Sequence, residues 1–283
     1  MTSADPAPPV ITVEHDEHVA TLWLDRPEKR NAMGTPFFDQ LPKAMAELGA
    51  DRNVRAVVIA ARGPAFSVGL DLTGLSGISE EAVGDGGGGA RRSSARMTSA
   101  AHANLLRLQA SITSVADCPK PVIAAIHGWC IGGGVDLTSA CDIRLAASDS
   151  KFSVRETRMA MVADLGSLQR LPLVLPMGYV AELAYTGKDI DAARAAKMGF
   201  VNDVYADQEA TLAAAQDMAA EIAANSPLAV QGTKHVLYEA YRERVAAGLR
   251  FVATWNAGQL RSDDLNEAVT AFFERRQPKF TGD

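Results

Sequence analysis

Cysteine is scarce in this chain of 283 residues. Its three cysteines are Cys118, Cys130 and Cys141, no two of them form a C-x-x-C pair, and the five histidines are scattered. Because a disulfide scaffold or a zinc site needs clustered or regularly spaced ligands, we predict neither a disulfide framework nor a metal site. We expect the cysteines to be small side chains of the core.

Long apolar runs and an excess of positive charge are also missing. No run of 18 apolar residues free of charge occurs, so we predict no membrane span. The net charge of -6 argues against nucleic acid or an anionic membrane as the main partner, although a local basic patch could bind one phosphorylated ligand. The N-terminus lacks the pattern of a signal peptide and the C-terminal TGD is not a peroxisomal S-K-L signal, so we expect a cytoplasmic protein.

The length allows one large domain, or a core with a smaller appendage. Residues 1–10 are proline-rich and predict a loose arm. Residues 11–207 alternate short β-like runs with helical patterns, which indicates an α/β core, and the apolar runs VRAVVIAA and PVIAAIHGW predict buried strands. Residues 208–283 show long helical patterns without strands, and we interpret them as a helical subdomain used for assembly.

A glycine-rich segment, GDGGGGA, resembles a dinucleotide-binding fingerprint only superficially. It has no strand before it and no amphipathic helix directly after it, so we interpret it as part of a mobile surface loop. The sequence also contains neither a P-loop nor a G-x-S-x-G nucleophile elbow.

Two other glycine-containing loops each follow a predicted buried strand. Gly132–Gly134 opens a helix, where backbone amides could stabilise a developing negative charge. The segment 66–71, FSVGLD, could present a second amide from Val68 or its neighbour towards the same oxygen. Either loop alone could be an ordinary tight turn, and the pair after adjacent strands favours an oxyanion site.

Three acidic residues, Asp136, Glu156 and Asp164, follow the glycine triplet. Each has an ordinary structural explanation: favourable placement at a helix N-terminus for Asp136, a surface ion pair for Glu156 and a helix cap for Asp164. Their order downstream of the glycine loops predicts an enzyme that forms and quenches an enolate. Apolar neighbours in sequence also predict a raised pKa for Asp164.

Four segments resemble signatures of the crotonase (enoyl-CoA hydratase/isomerase) superfamily: RPEKRNAM, AFSVGLDL, PKPVIAAIHGWCIGGGVDLTSACDIRLAA and LGSLQRLP. The resemblance covers residues 11 to about 280. It implies an α/β spiral of ββα units, C-terminal helices that form a homotrimer or a hexamer, and an acyl-coenzyme A thioester as substrate with no separate cofactor. It also implies that the oxyanion amides belong to Val68 and Gly133.

Within the superfamily, CIGGGVDLTSACDIR, VADLGSLQRLP, SPLAVQGTK and VATWN are most similar to the Δ3,5-Δ2,4-dienoyl-CoA isomerases of fatty acid degradation. This resemblance implies that Glu156 serves carbon 2 and Asp164 the remote end of the conjugated system, while Asp136 orients or tunes Glu156. Typical hydratases have Glu at the position of Asp136 and usually Gly at that of Asp164.

Cations for the coenzyme A phosphates are predicted at Arg26, Lys29 and Lys279, and the loop at residues 77–96 is a candidate cover for the acyl tunnel. Two alternatives stay open. One is an enoyl-CoA hydratase with relaxed positioning of its acids, and the other is a catalytically silent acyl-CoA or RNA-binding scaffold. The acidic net charge disfavours RNA.

Overall fold

The computed structural model describes residues 9–72, 93–259 and 262–283. Most of the predicted N-terminal arm, the glycine-rich segment GDGGGGA and most of the predicted tunnel cover lie outside these residues.

The described strands are β1 (Ile11–Asp16), β2 (Val19–Leu24), β3 (Ala56–Ala61), β4 (Val122–Ile126), β5 (Trp129–Ile131), β6 (Ile143–Ala147), β7 (Lys151–Ser153), β8 (Ile190–Asp191) and β9 (Asp203–Tyr205). The described α-helices are α1 (Thr35–Ala50), α2 (Ser94–Asp117), α3 (Gly133–Ser139), α4 (Ser167–Arg170), α5 (Met177–Thr186), α6 (Ala192–Met198), α7 (Gln208–Ala224), α8 (Pro227–Gln259) and α9 (Asp263–Glu274).

A six-stranded sheet of order β1-β2-β3-β4-β6-β9 forms the centre of the fold. β1 and β2 are an antiparallel hairpin, and the later strands are added in parallel. All residues of β2, β3 and β4 are buried, which explains why their sequences are continuous apolar runs rather than alternating ones. The buried strands predicted in VRAVVIAA and PVIAAIHGW are therefore confirmed as β3 and β4.

The alternating side chains of β3 divide the core into two layers. Val57 and Ile59 face the larger cluster with α1 and α2, whereas Val58 faces the opposite layer under α7. There α7 presents alanines at positions four residues apart, Ala215 and Ala219, and small side chains allow the helix to lie close to the sheet. The helix at the start of the predicted C-terminal subdomain thus packs directly on the sheet of the core.

A second sheet of order β5-β7-β8 lies beside the first and positions the candidate site. β5 and β7 are parallel, and the Gly132 N–H donates to the Ser153 carbonyl oxygen over 2.9 Å. As a result the glycine triplet after β5 lies next to the chain that leaves β7 and enters the 3-10 turn Glu156–Met159. Pairing of two short strands thus joins segments that are separate in the sequence.

Two element boundaries have a clear local cause. The β1–β2 turn lies at Glu17 and His18, because β1 pairs with β2 through its last residue, Asp16. α2 begins at Ser94, because the Ser93 hydroxyl accepts the Arg96 N–H (3.3 Å) and caps the helix. None of the described helices is both long and apolar enough to cross a bilayer.

Candidate active site

The two glycine-containing loops are joined by backbone hydrogen bonds. The Ser67 N–H donates to the Trp129 carbonyl oxygen (2.9 Å), and the Ile131 N–H donates to that of Ser67 (3.1 Å). The buried Ser67 hydroxyl in turn donates to the Asn31 carbonyl oxygen (2.8 Å). These bonds fix the two loops relative to each other without any ligand.

Glycine is required where the loops approach each other. Gly69 has φ +83°, and a Cβ there would lie 2.9 Å from the Ile131 carbonyl oxygen and 3.2 Å from the Gly133 nitrogen. A Cβ on Gly134 would lie 3.1 Å from the Ser67 carbonyl oxygen. The glycine triplet therefore does more than turn the chain, because it lets two backbones come into contact.

The structure does not support Val68 as an oxyanion donor. Its N–H already donates to the Arg30 carbonyl oxygen (3.2 Å). The N–H groups of Leu70 and Gly133, by contrast, have no acceptor among the described residues, and a Cβ on Gly133 would lie 3.8 Å from the Leu70 nitrogen. A parallel bridge between Met33 and Leu70 sets which amide is left free, and that bridge could not be read from the local sequence.

The three predicted coenzyme A cations lie in different settings. The Arg26 guanidinium forms an ion pair with Asp71 (2.8 Å) that ties the first polar loop to the Gly69 loop. Lys29 is exposed on the same polar loop, and Lys279 is exposed beyond α9. Arg26 is thus already engaged in the protein, and the role of all three as phosphate ligands remains a prediction.

Asp136 lies in the first turn of α3 and is 1% exposed. Its Oδ1 accepts the Ser167 N–H over 2.6 Å. Burial raises the pKa of Asp136 to about 6, the Ser167 hydrogen bonds lower it, the charge of Asp164 raises it, and that of Arg170 lowers it. The carboxylate is therefore held in a fixed orientation with a nearby cation.

Glu156 begins the 3-10 turn that follows β7, and its carboxyl group lies beside the glycine triplet. A Cβ on Gly132 would lie 3.4 Å from Oε1, and Oε2 is buried without a hydrogen-bond partner among the described residues. Burial, followed by repulsion from Asp136 and Asp164, raises the pKa of Glu156 to about 8. A buried carboxyl oxygen without a partner next to the free amides is available to a substrate.

Asp164 lies between β7 and α4, and its Oδ2 accepts a 2.6 Å hydrogen bond from the Asn256 side chain on α8. The Gln109 side chain on α2 donates to the Asp164 carbonyl oxygen over 2.8 Å. Burial raises the pKa of Asp164 to about 6, although the bond from Asn256 lowers it. The direction of this shift agrees with the prediction made from its apolar neighbours in sequence.

The ordinary explanations for two of the acids do not hold. Arg155, the neighbour of Glu156, forms its ion pair with Asp189 instead. Asp164 is not a helix cap, because α4 begins at Ser167 after Gly166.

The structure brings the buried Asp136 and the half-buried Glu156 and Asp164 into one cluster in which the charges act on one another. Each has a pKa raised towards neutrality, as groups that exchange protons near pH 7 require. Among the described residues, no group of His, Cys, Asp and Glu side chains is arranged to hold a metal ion. The arrangement can stabilise an oxyanion at the two free amides and move protons at two separate points.

Sequence reasoning missed Leu70, Gln109, Arg170 and Asn256. The last three reach the acids through side chains of α2, α4 and α8, and Gln109 and Asn256 are far from Asp164 in the chain. Asn256 lies in the segment VATWN, which is the one signal in the sequence that could have led to it.

A separate cavity of about 250 Å³ lies between α2, α8 and the end of α3, next to Arg170. None of the three acids lines it.

The sequence profile of the family described as enoyl-CoA hydratase/isomerase matches residues 14–283. The chain belongs to this family. This enoyl-CoA hydratase/isomerase family member is 43% identical to a mitochondrial Δ3,5-Δ2,4-dienoyl-CoA isomerase of Dictyostelium discoideum, over 93% of this chain and 87% of the relative. It is 41% identical to a peroxisomal Δ3,5-Δ2,4-dienoyl-CoA isomerase of Arabidopsis thaliana, over 96% of this chain and 95% of the relative.

Among solved structures, the family member resembles an enoyl-CoA hydratase/isomerase from Mycobacterium paratuberculosis with a TM-score of 0.81 and 27% identity, over 93% of this chain and 98% of the other. The predicted crotonase-like α/β fold is confirmed. Trimer formation is not tested by this similarity.

The names of the relatives overturn one expectation. Both proteins are named as mitochondrial or peroxisomal, so the predicted cytoplasmic location is wrong. The prediction relied on missing sorting signals at the two ends of the sequence, and such an absence does not determine a compartment.

Proposed function

We propose that this protein converts a 3,5-dienoyl-CoA into a 2,4-dienoyl-CoA in fatty acid degradation. The observation that carries the proposal is the pair of half-buried acids Glu156 and Asp164, which lie in one cluster and have raised pKa values. Glu156 begins the 3-10 turn and Asp164 lies further along the chain, before α4, so they can serve different carbons of one acyl chain. The resemblance to proteins named as dienoyl-CoA isomerases supports the same activity.

In this mechanism the thioester oxygen accepts hydrogen bonds from the N–H groups of Leu70 and Gly133. A proton on the carbon next to a thioester is only weakly acidic, so an unassisted carboxylate removes it poorly. One oxyanion donor typically lowers such a barrier by about 2.7–4 kcal/mol. Two fixed donors therefore supply a large part of the stabilisation that the enolate needs.

Proton transfer then occurs at the two ends of the conjugated system. Glu156 removes a proton from carbon 2, and the electron pair spreads from the thioester oxygen to carbon 6. Asp164 gives a proton to carbon 6, so the double bonds move from positions 3 and 5 to positions 2 and 4. One proton has passed from Asp164 to the substrate and one from the substrate to Glu156.

The proton carried by the two acids changes place during the reaction. Each forward turnover begins with the proton on Asp164 and ends with it on Glu156. The enzyme must therefore return this proton to Asp164 between turnovers.

The deciding experiment replaces Asp164 by Asn and follows the ultraviolet absorbance of a 3,5-dienoyl thioester. The variant keeps an acceptor for Asn256 but cannot give a proton, so turnover should fall about 10²–10⁴-fold. The matched control is Asp217→Asn, an exposed position on α7. Full isomerase activity in the Asp164 variant would refute the proposal.

Hydratase activity is the second candidate. Asp136 and Glu156 both lie at the amide site, and their mutual repulsion is what two acids around one water would show. A 2-enoyl thioester assayed in parallel distinguishes hydratase from isomerase activity. The hydratase would be favoured if the Asp164 variant still hydrates the 2-enoyl thioester and the wild type does not react with the dienoyl thioester. No feature of the described site favours a silent scaffold.

We also propose that the protein assembles into trimers or hexamers. Several large apolar side chains on α8 and α9 are more than half exposed in the single chain, namely Leu228, Val236, Leu237, Phe251, Trp255, Phe272 and Phe273. Exposed apolar surface of this kind is typical of interfaces. Sedimentation velocity measures the assembly directly.

A further inference from the structure

We propose that Asn256 is a positioning residue for the remote proton transfer, and that it holds Oδ2 of Asp164 so that Oδ1 exchanges the proton with the substrate. This inference rests on the proposed isomerase function. It assigns a role to a side chain of α8, 92 positions away from Asp164.

Both donor hydrogens of the Asn256 amide are used. Its Nδ2 donates to the Val162 carbonyl oxygen (2.8 Å) and to Oδ2 of Asp164 (2.6 Å), and the residue is 1% exposed. Both partners are acceptors, so the NH2 end of the amide must face them. The amide therefore cannot rotate without losing two hydrogen bonds.

The two oxygens of Asp164 differ as a result. Oδ2 is held by Asn256, whereas Oδ1 has no hydrogen bond to any other described residue. Because one oxygen is fixed, the plane and direction of the other are also fixed. A carboxyl group held in this way presents one oxygen repeatedly at the same place, which is what proton transfer to a defined carbon needs.

A second buried amide holds the same segment in a different manner. Gln109 donates from α2 to the Asp164 carbonyl oxygen (2.8 Å) and to the Leu249 carbonyl oxygen (3.0 Å), and it is 4% exposed. Gln109 thus holds the main chain, and Asn256 is the described side chain that holds the carboxylate. The two residues allow main-chain support to be separated from carboxylate positioning.

The hydrogen bond from Asn256 favours the ionised form of Asp164, and the neighbouring charged groups make this contribution important. Asp136 on α3 and Glu156 on the 3-10 turn are both acidic, and the cation Arg170 on α4 acts on Asp136. α2 and α8 contribute the uncharged amides of Gln109 and Asn256. Loss of the Asn256 donor should therefore raise the pKa of Asp164 further above its ordinary value.

The test measures two steps separately in the full-length protein with a 3,5-dienoyl thioester in D2O. Deuterium exchange at carbon 2 reports the step at Glu156, and absorbance reports complete isomerisation. In Asn256→Ala, isomerisation should fall about 10- to 100-fold, as expected for a hydrogen bond to a charged group, while exchange at carbon 2 stays within about threefold of wild type. The apparent pKa that Asp164 contributes to the pH profile of kcat should move upwards.

Three further variants keep the test decisive. Asn256→Asp has nearly the same shape and places a like charge beside Asp164, so it should move the pH profile upwards even if the alanine variant does not fold. Gln109→Leu should lower melting temperature without moving the pH profile. Thr254→Ala, exposed on the same helix, is the matched control and should behave as wild type.

The outcomes separate the inference from the function on which it rests. If the wild type does not isomerise the dienoyl thioester, the proposed function is wrong. If it does, but the Asn256 variants match Thr254→Ala in turnover and pH profile, the inference alone is wrong. Equal loss of exchange and isomerisation in a folded Asn256 variant would also overturn it, because that result indicates a general structural role.

Discussion

Glu156 should destabilise the protein at the pH where it is ionised, and Glu156→Gln should remove that effect. Burial and two neighbouring acids raise the pKa of Glu156 from 4.5 to about 8. A folded-state pKa above the unfolded one means that the protonated carboxyl favours folding at low pH, and that this contribution disappears as pH rises through 8.

The size of the effect follows from the rise in pKa. Each pKa unit corresponds to about 1.36 kcal/mol, so the rise from 4.5 to about 8 gives an upper bound of about 5 kcal/mol above pH 8. Between pH 5 and pH 8 the unfolding free energy of the wild type should fall by about 2–4 kcal/mol. This loss is smaller than the upper bound because the interacting acids share the cost of ionisation. The glutamine of the Glu156→Gln variant has no charge, so the stability of that variant should lack this dependence.

The assay is urea denaturation of wild type and Glu156→Gln from pH 5 to pH 9 at one protein concentration. Buried amide hydrogens without partners cost the variant about 1–3 kcal/mol at every pH. The measured quantity is therefore how the difference in unfolding free energy between wild type and variant changes with pH. Glu243→Gln, at an exposed position on α8, is the control. A difference that stays constant from pH 5 to pH 8 would refute the proposed environment of Glu156.

Two further predictions concern the amide site and its acids. Gly69→Ala should lower kcat strongly and destabilise the fold, because φ is +83° and the new Cβ would lie 2.9 Å from the Ile131 carbonyl oxygen. Gly178→Ala, where no other part of the described chain lies within 4 Å of a new Cβ, should instead stabilise α5 by about 0.5–1 kcal/mol in thermal denaturation. Asp136→Asn should shift the Glu156 limb of the kcat/KM profile to lower pH, because the charge of Asp136 raises that pKa; an unchanged profile would contradict the coupling.

The elements that sequence predicted well are those whose pattern is local. The buried strands β3 and β4 are continuous apolar runs, and α7 and α8 are long helical patterns without strand-like interruption. The identity of the acids was also accessible, because all three lie in one recognisable segment that runs from position 136 to position 164.

The amide donor was harder to predict because it depends on contacts between distant loops. The sequence FSVGLD pointed to Val68, but its N–H donates to the Arg30 carbonyl oxygen, and the bridge from Met33 leaves the Leu70 N–H free instead. These partners come from a polar loop that lies before α1 in the chain. The local sequence does not indicate which N–H group of a turn already donates a hydrogen bond to a distant segment.

The sequence predicted the direction of the Asp164 pKa shift and its main cause, but not the hydrogen bond that opposes the shift. Its apolar neighbours in sequence indicated a raised pKa, and burial is the main reason. The opposing hydrogen bond from Asn256 depends on how α8 packs over the segment, and sequence spacing does not reveal that packing.

The hydrogen bonds between Ser67 and the β5 segment have a consequence for how such enzymes can diverge. In the proposed mechanism main-chain N–H groups bind the thioester carbonyl, so the side chains at Val68 and Leu70 are free to vary without removing those donors. New reactions can then arise by relocating acids along the acyl chain while the machinery that activates the thioester is inherited intact. A protein engineer could exploit the same independence by moving a single carboxylate and leaving the two loops untouched.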